Sequence, residues 1–179
     1  MTGRFIAVVG PSGVGKDSVM AGLMERRPDL LLAKRVITRP YDPGAEDHQP
    51  ASVEDFQIMV QQGAFVLHWG AHGLFYGIPT QVLDLLASGR DVLANLSRGA
   101  LVEASQKFPQ FHVLAITADA ATLAARLADR GRETPDDIAA RLARAAEIPA
   151  GLPVTMIHNN GALSDAVDAA EAALFAPVE

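Results

Sequence analysis

An α/β fold, a mostly parallel sheet flanked by helices, is predicted by three observations in the 179 residues. Short apolar runs alternate with helical patterns along almost the whole chain. The first run, Phe5-Ile6-Ala7-Val8-Val9, leads straight into a glycine-rich stretch and then a helix. Hydrophobic residues make up 49 % of the chain, enough for a core, yet no apolar run approaches the ~18 residues that would span a membrane.

The elements follow in order. Residues 5–9 have the continuous apolar character of a strand buried on both faces. Residues 17–27 read as a helix, with Met20, Leu23 and Met24 on one side. Residues 32–37 are the second strand, and 40–50 a loop rich in Pro, Gly and Asp. A helix is expected over 53–62, a strand over 64–69 and a short extended piece over 73–76. Residues 79–87 are helical, with Pro79 in the first turn, where a missing N–H costs little. A strand over 91–96, a helix over 100–107 and a strand over 111–117 come next. Asp119 is placed to cap a helix running to Arg130. After a break at 131–135, a helix covers 136–148, a strand 154–157 and a last helix 163–175.

The whole chain, 1–179, reads as one domain. Two stretches depart from its alternation. Residues 38–78 crowd short elements together, as an inserted substrate lobe does, and 126–144 place two helices around an arginine-rich break, as a lid does.

Composition excludes several classes. A net charge of −6 argues against a general nucleic-acid binder. The absence of cysteine rules out disulfides and thiolate metal sites, and the five histidines show no tight ligand spacing. The N-terminus leads directly into the first strand with no leader pattern, so a cytoplasmic protein without membrane partners is expected.

Gly10, Pro11, Ser12, Gly13, Val14, Gly15, Lys16, Asp17 and Ser18 follow the pattern G-x-x-x-x-G-K-[ST], with Asp17 at the Ser/Thr position. Strand, glycine loop and helix in that order aim backbone N–H groups at a polyphosphate. Lys16 adds a point charge for the β- and γ-phosphates, so ATP with Mg²⁺ is the expected cofactor pair. A hydroxyl at position 17 would ordinarily ligate the metal, and a carboxylate is a harder ligand still. Asp17 also suits the first turn of a helix for its dipole, and Ser18 offers a hydroxyl one residue on, so the metal ligand stays open between them. Arg126, Arg130, Arg132 and Arg141 concentrate positive charge on an acidic chain. Surface ion pairs contribute only ~0–1 kcal/mol each, so stability does not account for the cluster, whereas neutralising a moving phosphoryl group does.

On these residues the chain resembles the guanylate-kinase-like P-loop kinases over nearly its full length. Gly10 to Lys16 is similar to the family's loop, and Thr38-Arg39-Pro40 with Gly44 and Glu46 to its phosphate-gripping segment. Trp69 and His72-Gly73-Leu74-Phe75-Tyr76-Gly77 resemble its acceptor lobe, and Arg126, Arg130 and Arg141 its lid. The chain departs from guanylate kinases at His68 and Ile78, where that branch reads guanine with a glutamate and a hydroxyl. It also departs at Asp42 in place of a phosphate-gripping arginine, at His48 in place of a tyrosine, and at Asn95-Leu96-Ser97 in place of an acidic strand end. Leaving a base's donors unpaired costs roughly 10⁴-fold in discrimination.

The same departures resemble the branch of ribose 1,5-bisphosphate phosphokinases of phosphonate catabolism. They share Gly15-Lys16-Asp17-Ser18, Ile37-Thr38-Arg39, Glu46-x-His48, Asn95-x-Ser97-Arg98, Arg130-Gly131-Arg132-Glu133 and Asn159-Asn160-Gly161. The resemblance implies transfer of the ATP γ-phosphoryl group to ribose 1,5-bisphosphate, giving 5-phosphoribosyl 1-diphosphate (PRPP). It implies Lys16, Arg126, Arg130 and Arg141 as the catalytic cations, and Arg39, His48, Tyr76, Asn95, Ser97 and Arg132 on the acceptor. The partner is then a small sugar phosphate, not nucleic acid, and the oligomeric state is open, a homodimer included. His68 and His72 have no assigned role; Asn159 and Asn160 lie at the adenine edge or in a simple turn. Two other readings stand beside this one: a nucleoside monophosphate kinase, and a non-catalytic binding module of the same fold.

Overall fold

The computed structural model describes residues 2–43, 46–131, 133–143 and 147–176, with only the backbone of 141–143. Strand β1 (Phe5–Val9) lies at the centre of a five-stranded, all-parallel sheet. Its neighbours are β7 (Val92–Asn95) and β8 (Phe111–Thr117), with β2 (Leu31–Leu32) and β9 (Val154–His158) at the edges. Every residue of β1 is buried. Phe5, Ala7 and Val9 face one core and Ile6 and Val8 the other, the alternation that a strand imposes. Complete burial of a side chain such as Phe5 is worth about 1.5–3 kcal/mol.

Helices cover both faces, as parallel strands require. On the Ile6 face, α1 (Lys16–Arg26) packs with α7 (Leu163–Phe175) through Val19, Leu23, Val167 and Ala170. On the Phe5 face lie α3 (Gln81–Ala87) and α4 (Leu101–Lys107), preceded by the short 3₁₀ turn Arg98–Ala100.

A second sheet, ordered β4-β3-β6-β5, joins the Phe5 face through Leu67 and Ile78. It comprises β3 (Val36–Ile37), β4 (Gln49–Pro50), β5 (Phe65–Ala71) and β6 (Leu74–Pro79), with α2 (Val53–Gln61). Strands β5 and β6 form a hairpin closed by His72 and Gly73, at φ 53° and 73°. Two successive positive φ values between paired Ala71 and Leu74 are those of a type I′ turn, whose twist matches the strands. His72 therefore serves this turn. Beyond β8, α5 (Ala120–Asp129) and α6 (Pro135–Ala143) run in succession. Thr134 and Asp137 bond reciprocally at the start of α6, and Pro135 occupies its first position.

Several expectations need correcting. The run 32–37 is not one strand: its ends belong to different sheets, with Ala33, Lys34 and Arg35 crossing between them. Pro79 ends β6, and the following helix begins at Gln81. Asp119 precedes α5 but makes no side-chain cap; its N–H donates instead to Asn160 Oδ1 at 2.7 Å. The helix expected over 136–148 has left helical form by Glu147.

Candidate active site

Four connections leave the C-terminal ends of parallel strands and converge there, the place where open α/β sheets hold ligands. After β1 comes the glycine loop, after β2 Arg35, after β7 the segment Asn95 to Arg98, and after β9 Asn159.

The loop's shape is fixed by contacts. Gly15 has φ 93°, and a Cβ there would lie 2.8 Å from Asn159 Nδ2, so only glycine fits. Asn159 is 5 % exposed and donates from Nδ2 to Val14 O at 2.9 Å. Arg126 reaches the same seam, donating to Asn159 O at 2.8 Å and to Val14 O at 3.4 Å. Arg126, one of the arginines expected over the moving phosphoryl group, therefore braces the loop. Lys16 Nζ donates to Gly10 O at 2.8 Å and to Pro11 O at 3.4 Å. Its proton affinity is lowered from that of an ordinary lysine, chiefly by burial; Asp17 opposes that shift, Arg35 and Arg98 add to it, and Glu46 opposes it. These five charges thus share one neighbourhood. Asp17 and Ser18 are exposed in the first turn of α1, beside Lys16. A magnesium ion that keeps water and phosphate ligands needs only one or two protein oxygens, and this pair suits it. No cluster of three metal-binding side chains occurs among the described residues.

Beside the loop lies a cleft of ≈ 360 Å³ lined by Gly13, Ser18, Arg126, Arg130, Asn159 and Leu163 among others. Arg130 and Asp129 stand at its rim, both exposed. Arg132 and the side chain of Arg141 lie outside the described residues.

In the second sheet, Tyr76 is buried and stacks on Trp69, ring centroids 5.4 Å apart and nearly parallel. The Trp69 indole N–H donates to Ser97 Oγ at 2.9 Å, joining the two sheets. Asn95 Nδ2 lies 3.5 Å from Glu46 Oε2. Glu46 accepts two hydrogen bonds from Arg35, with Nε at 3.0 Å from Oε1 and Nη2 in close contact with Oε2. Arg39 Nε is buried with no hydrogen-bond partner among the described residues, which fits a site built for an anion.

Some sequence expectations are displaced. His48 is buried, and its Nδ1 and Nε2 face the carbonyls of Glu46 and Arg39 at 2.9 and 3.0 Å. Neither nitrogen is left for a phosphate; His48 instead ties the backbone of Arg39 to that of Glu46. Ile78 lies in the core opposite Leu67, and His68 is exposed near Phe56 and Phe65. Ile78 shares the Tyr76 face of β6 but offers only an apolar side chain, and His68 points to the opposite face, so neither can read a base there. Arg35 was not among the expected site residues, and Glu46 entered only as part of the phosphate-gripping segment, with no role of its own. Arg35 is hidden inside an apolar run that reads as strand, although a charged residue within such a run was a signal.

No protein-family model matches the chain. A ribose 1,5-bisphosphate phosphokinase of Ruegeria sp. (strain TM1040) is 49 % identical over 97 % of this chain and 93 % of that protein. One of Acidiphilium cryptum (strain JF-5) is 52 % identical over 81 % of this chain and 78 % of its own. Among solved structures, guanylate kinase from Anaplasma phagocytophilum has a TM-score of 0.71 at 18 % identity, covering 93 % of this chain and 81 % of that one. That likeness establishes the fold, a mostly parallel guanylate-kinase-like α/β architecture. With about half of its residues shared along nearly the full length of both proteins, the chain belongs to the ribose 1,5-bisphosphate phosphokinase family.

Proposed function

We propose that the chain transfers the γ-phosphoryl group of ATP to the 1-phosphate of ribose 1,5-bisphosphate, giving 5-phosphoribosyl 1-diphosphate, as in phosphonate degradation. The observation that carries this reading is the grouping of Lys16, Arg35, Arg98 and Glu46 at the strand ends, together with Arg39, which His48 ties to Glu46 and whose buried Nε has no partner among the described residues. Such a site suits an acceptor that is itself a polyanion.

An oxygen of the acceptor's 1-phosphate attacks the γ-phosphorus, and the bond to the β,γ-bridging oxygen breaks. ADP leaves with that electron pair. The attacking oxygen is already anionic, so no general base is required; the obstacle is repulsion between two anions. At an effective dielectric near 20, each pair of like charges 4 Å apart costs about 4 kcal/mol. Lys16 and the loop amides bind the donor phosphates, Arg39 the acceptor, and Arg130 with Arg141 close over the moving group. Arg126 holds the loop from behind while contributing charge. Arg132, Tyr76, Asn95 and Ser97 complete the acceptor contacts. Asp17 and Ser18 would hold Mg²⁺, which would supply positive charge to the donor phosphates. In this reading residues 38–78 are the acceptor lobe and 126–144 the lid of a single domain. A cytoplasmic setting goes with it, without nucleic-acid or membrane partners; no described helix is long and apolar enough to cross a membrane.

The test is phosphorus NMR of reactions with ATP, Mg²⁺ and ribose 1,5-bisphosphate, with GMP and AMP as rival acceptors. A diphosphate at C1 is expected, and Lys16→Ala should remove it while the protein stays folded. GMP phosphorylation at a comparable rate, or no transfer to the sugar at saturation, refutes the reading.

A further inference from the structure

Tyr76 has neighbours from both adjoining strands. Trp69 on β5 is its direct cross-strand partner and stacks on it. Arg35 comes from the opposite side, two residues before Ile37, which pairs with Tyr76 across β3 and β6. Its guanidinium lies 5.0 Å from the Tyr76 ring centroid. The ring is thus held between an indole and a cation.

Arg35 is not free to swing away. Nε and Nη2 both donate to Glu46, in the fork geometry that only arginine offers a carboxylate. Their side chains are only 8 % and 10 % exposed. Removing either partner strands a buried charge. Asn95 ties Glu46 to the end of β7, so the pair is anchored to the sheet that carries the glycine loop. Arg35 retains one amino group, Nη1, that makes no hydrogen bond among the described residues.

A purine acceptor needs an aromatic face to stack on or polar groups to read its edge. The Tyr76 ring is already engaged by Trp69 and Arg35; Ile78, two residues on along β6, adds only an apolar side chain to the same face, and His68 lies on the opposite face. Building on the proposed reaction, we infer that the Arg35–Glu46 pair is the specificity element of the acceptor site: it fills the place beside Tyr76 that a base would take and gives Arg35 Nη1 to an acceptor phosphate. A base-free bisphosphate is selected by the same group that turns a nucleotide away.

The test compares purified wild-type and variant proteins by ADP release, with ribose 1,5-bisphosphate and with GMP. Arg35→Met with Glu46→Leu replaces the pair by apolar chains and strands no charge. Its KM for the sugar bisphosphate should rise about tenfold or more, the loss expected for a charge-assisted hydrogen bond, while KM for MgATP stays within about twofold. Arg35→Ala with Glu46→Ala opens the space beside Tyr76, and the sugar-to-GMP ratio of kcat/KM should fall at least about 100-fold. Arg35→Lys keeps the charge without the fork and gives an intermediate KM, so the inference stays testable if a double variant fails to fold. Unchanged sugar KM and unchanged sugar-to-GMP ratio in folded variants overturn this inference alone. A wild-type protein with no turnover of the sugar bisphosphate overturns the proposed reaction and this inference with it.

Discussion

Asn159→Ala should loosen the glycine loop without disturbing the sheet. The amide donates to Val14 O at 2.9 Å from a side chain that is almost fully buried. A typical intramolecular hydrogen bond contributes about 0.5–1.5 kcal/mol net, and a stranded buried acceptor costs about 1–3 kcal/mol. Two features reduce that cost. Arg126 Nη1 is 3.4 Å from the same carbonyl and keeps it partly satisfied. Asn159 Oδ1 is itself buried with no partner among the described residues, so deleting it relieves a penalty. The expected loss is about 1 kcal/mol, or about 2–4 °C in Tm for a chain of this size. Asn159→Asp should cost several times more, because it swaps the donor for a buried anion facing a carbonyl. Thermal melts with and without MgATP provide the assay, together with KM for ATP, which should rise in both variants. Wild-type melting and ATP affinity in Asn159→Ala, or an Asp variant no worse than the Ala variant, would refute the assignment of Asn159 as the loop's brace.

Other outcomes follow from the same geometry. Lys16 has its proton affinity lowered below the ordinary 10.5, mainly by burial. Stability linked to that shift is full above pH 10.5 and is lost as pH falls through the lowered value, whereas activity needs the ammonium and fails on the alkaline side. The alkaline limb of kcat/KM for ATP should therefore begin below pH 10.5, and Asp17→Asn, which removes a charge that favours the ammonium, should move it lower still; a limb indifferent to that change denies the coupling. Asp17→Asn should also raise the Mg²⁺ concentration needed for half-maximal rate, and an unchanged titration would reduce Asp17 to a helix-start residue. Arg130→Ala should lower kcat and kcat/KM together, by about tenfold or more, whereas an effect confined to KM places Arg130 in ground-state docking. Arg126→Ala should lower Tm as well as rate, since its hydrogen bonds to Val14 O and Asn159 O are lost.

The parallel sheet was legible because strands buried on both faces must be apolar throughout, as in Phe5–Val9 and Phe111–Thr117. The loop motif was legible because its glycines and lysine answer to a phosphate at fixed spacing. The second sheet was harder. Gln49–Pro50 is an exposed two-residue strand with no pattern to detect. Leu31 to Ile37 stays largely apolar while the backbone passes from one sheet to another, so periodicity carries no trace of the crossing. Side-chain direction was the main loss. His48 and Ile78 occupy positions that motif matching assigns to the ligand, yet one is consumed by backbone carbonyls and the other by core packing. Arg35 escaped notice because its partner, Glu46, comes from beyond an eleven-residue separation that only folding closes.

The stack on Tyr76 gives the protein a built-in optical reporter. The chain contains a single tryptophan, and it is Trp69. Its ring lies against Tyr76, and its N–H is engaged by Ser97 on the segment that leaves the end of β7. Indole emission responds to a nearby cation, to hydration and to loss of a hydrogen bond. Fluorescence excited at the red edge of indole absorption, beyond the band of the two tyrosines, consequently comes from a single location, with no dye to attach. Events at the junction of the two sheets can be followed in stopped flow on unmodified protein, separately from events in the cleft beyond the glycine loop.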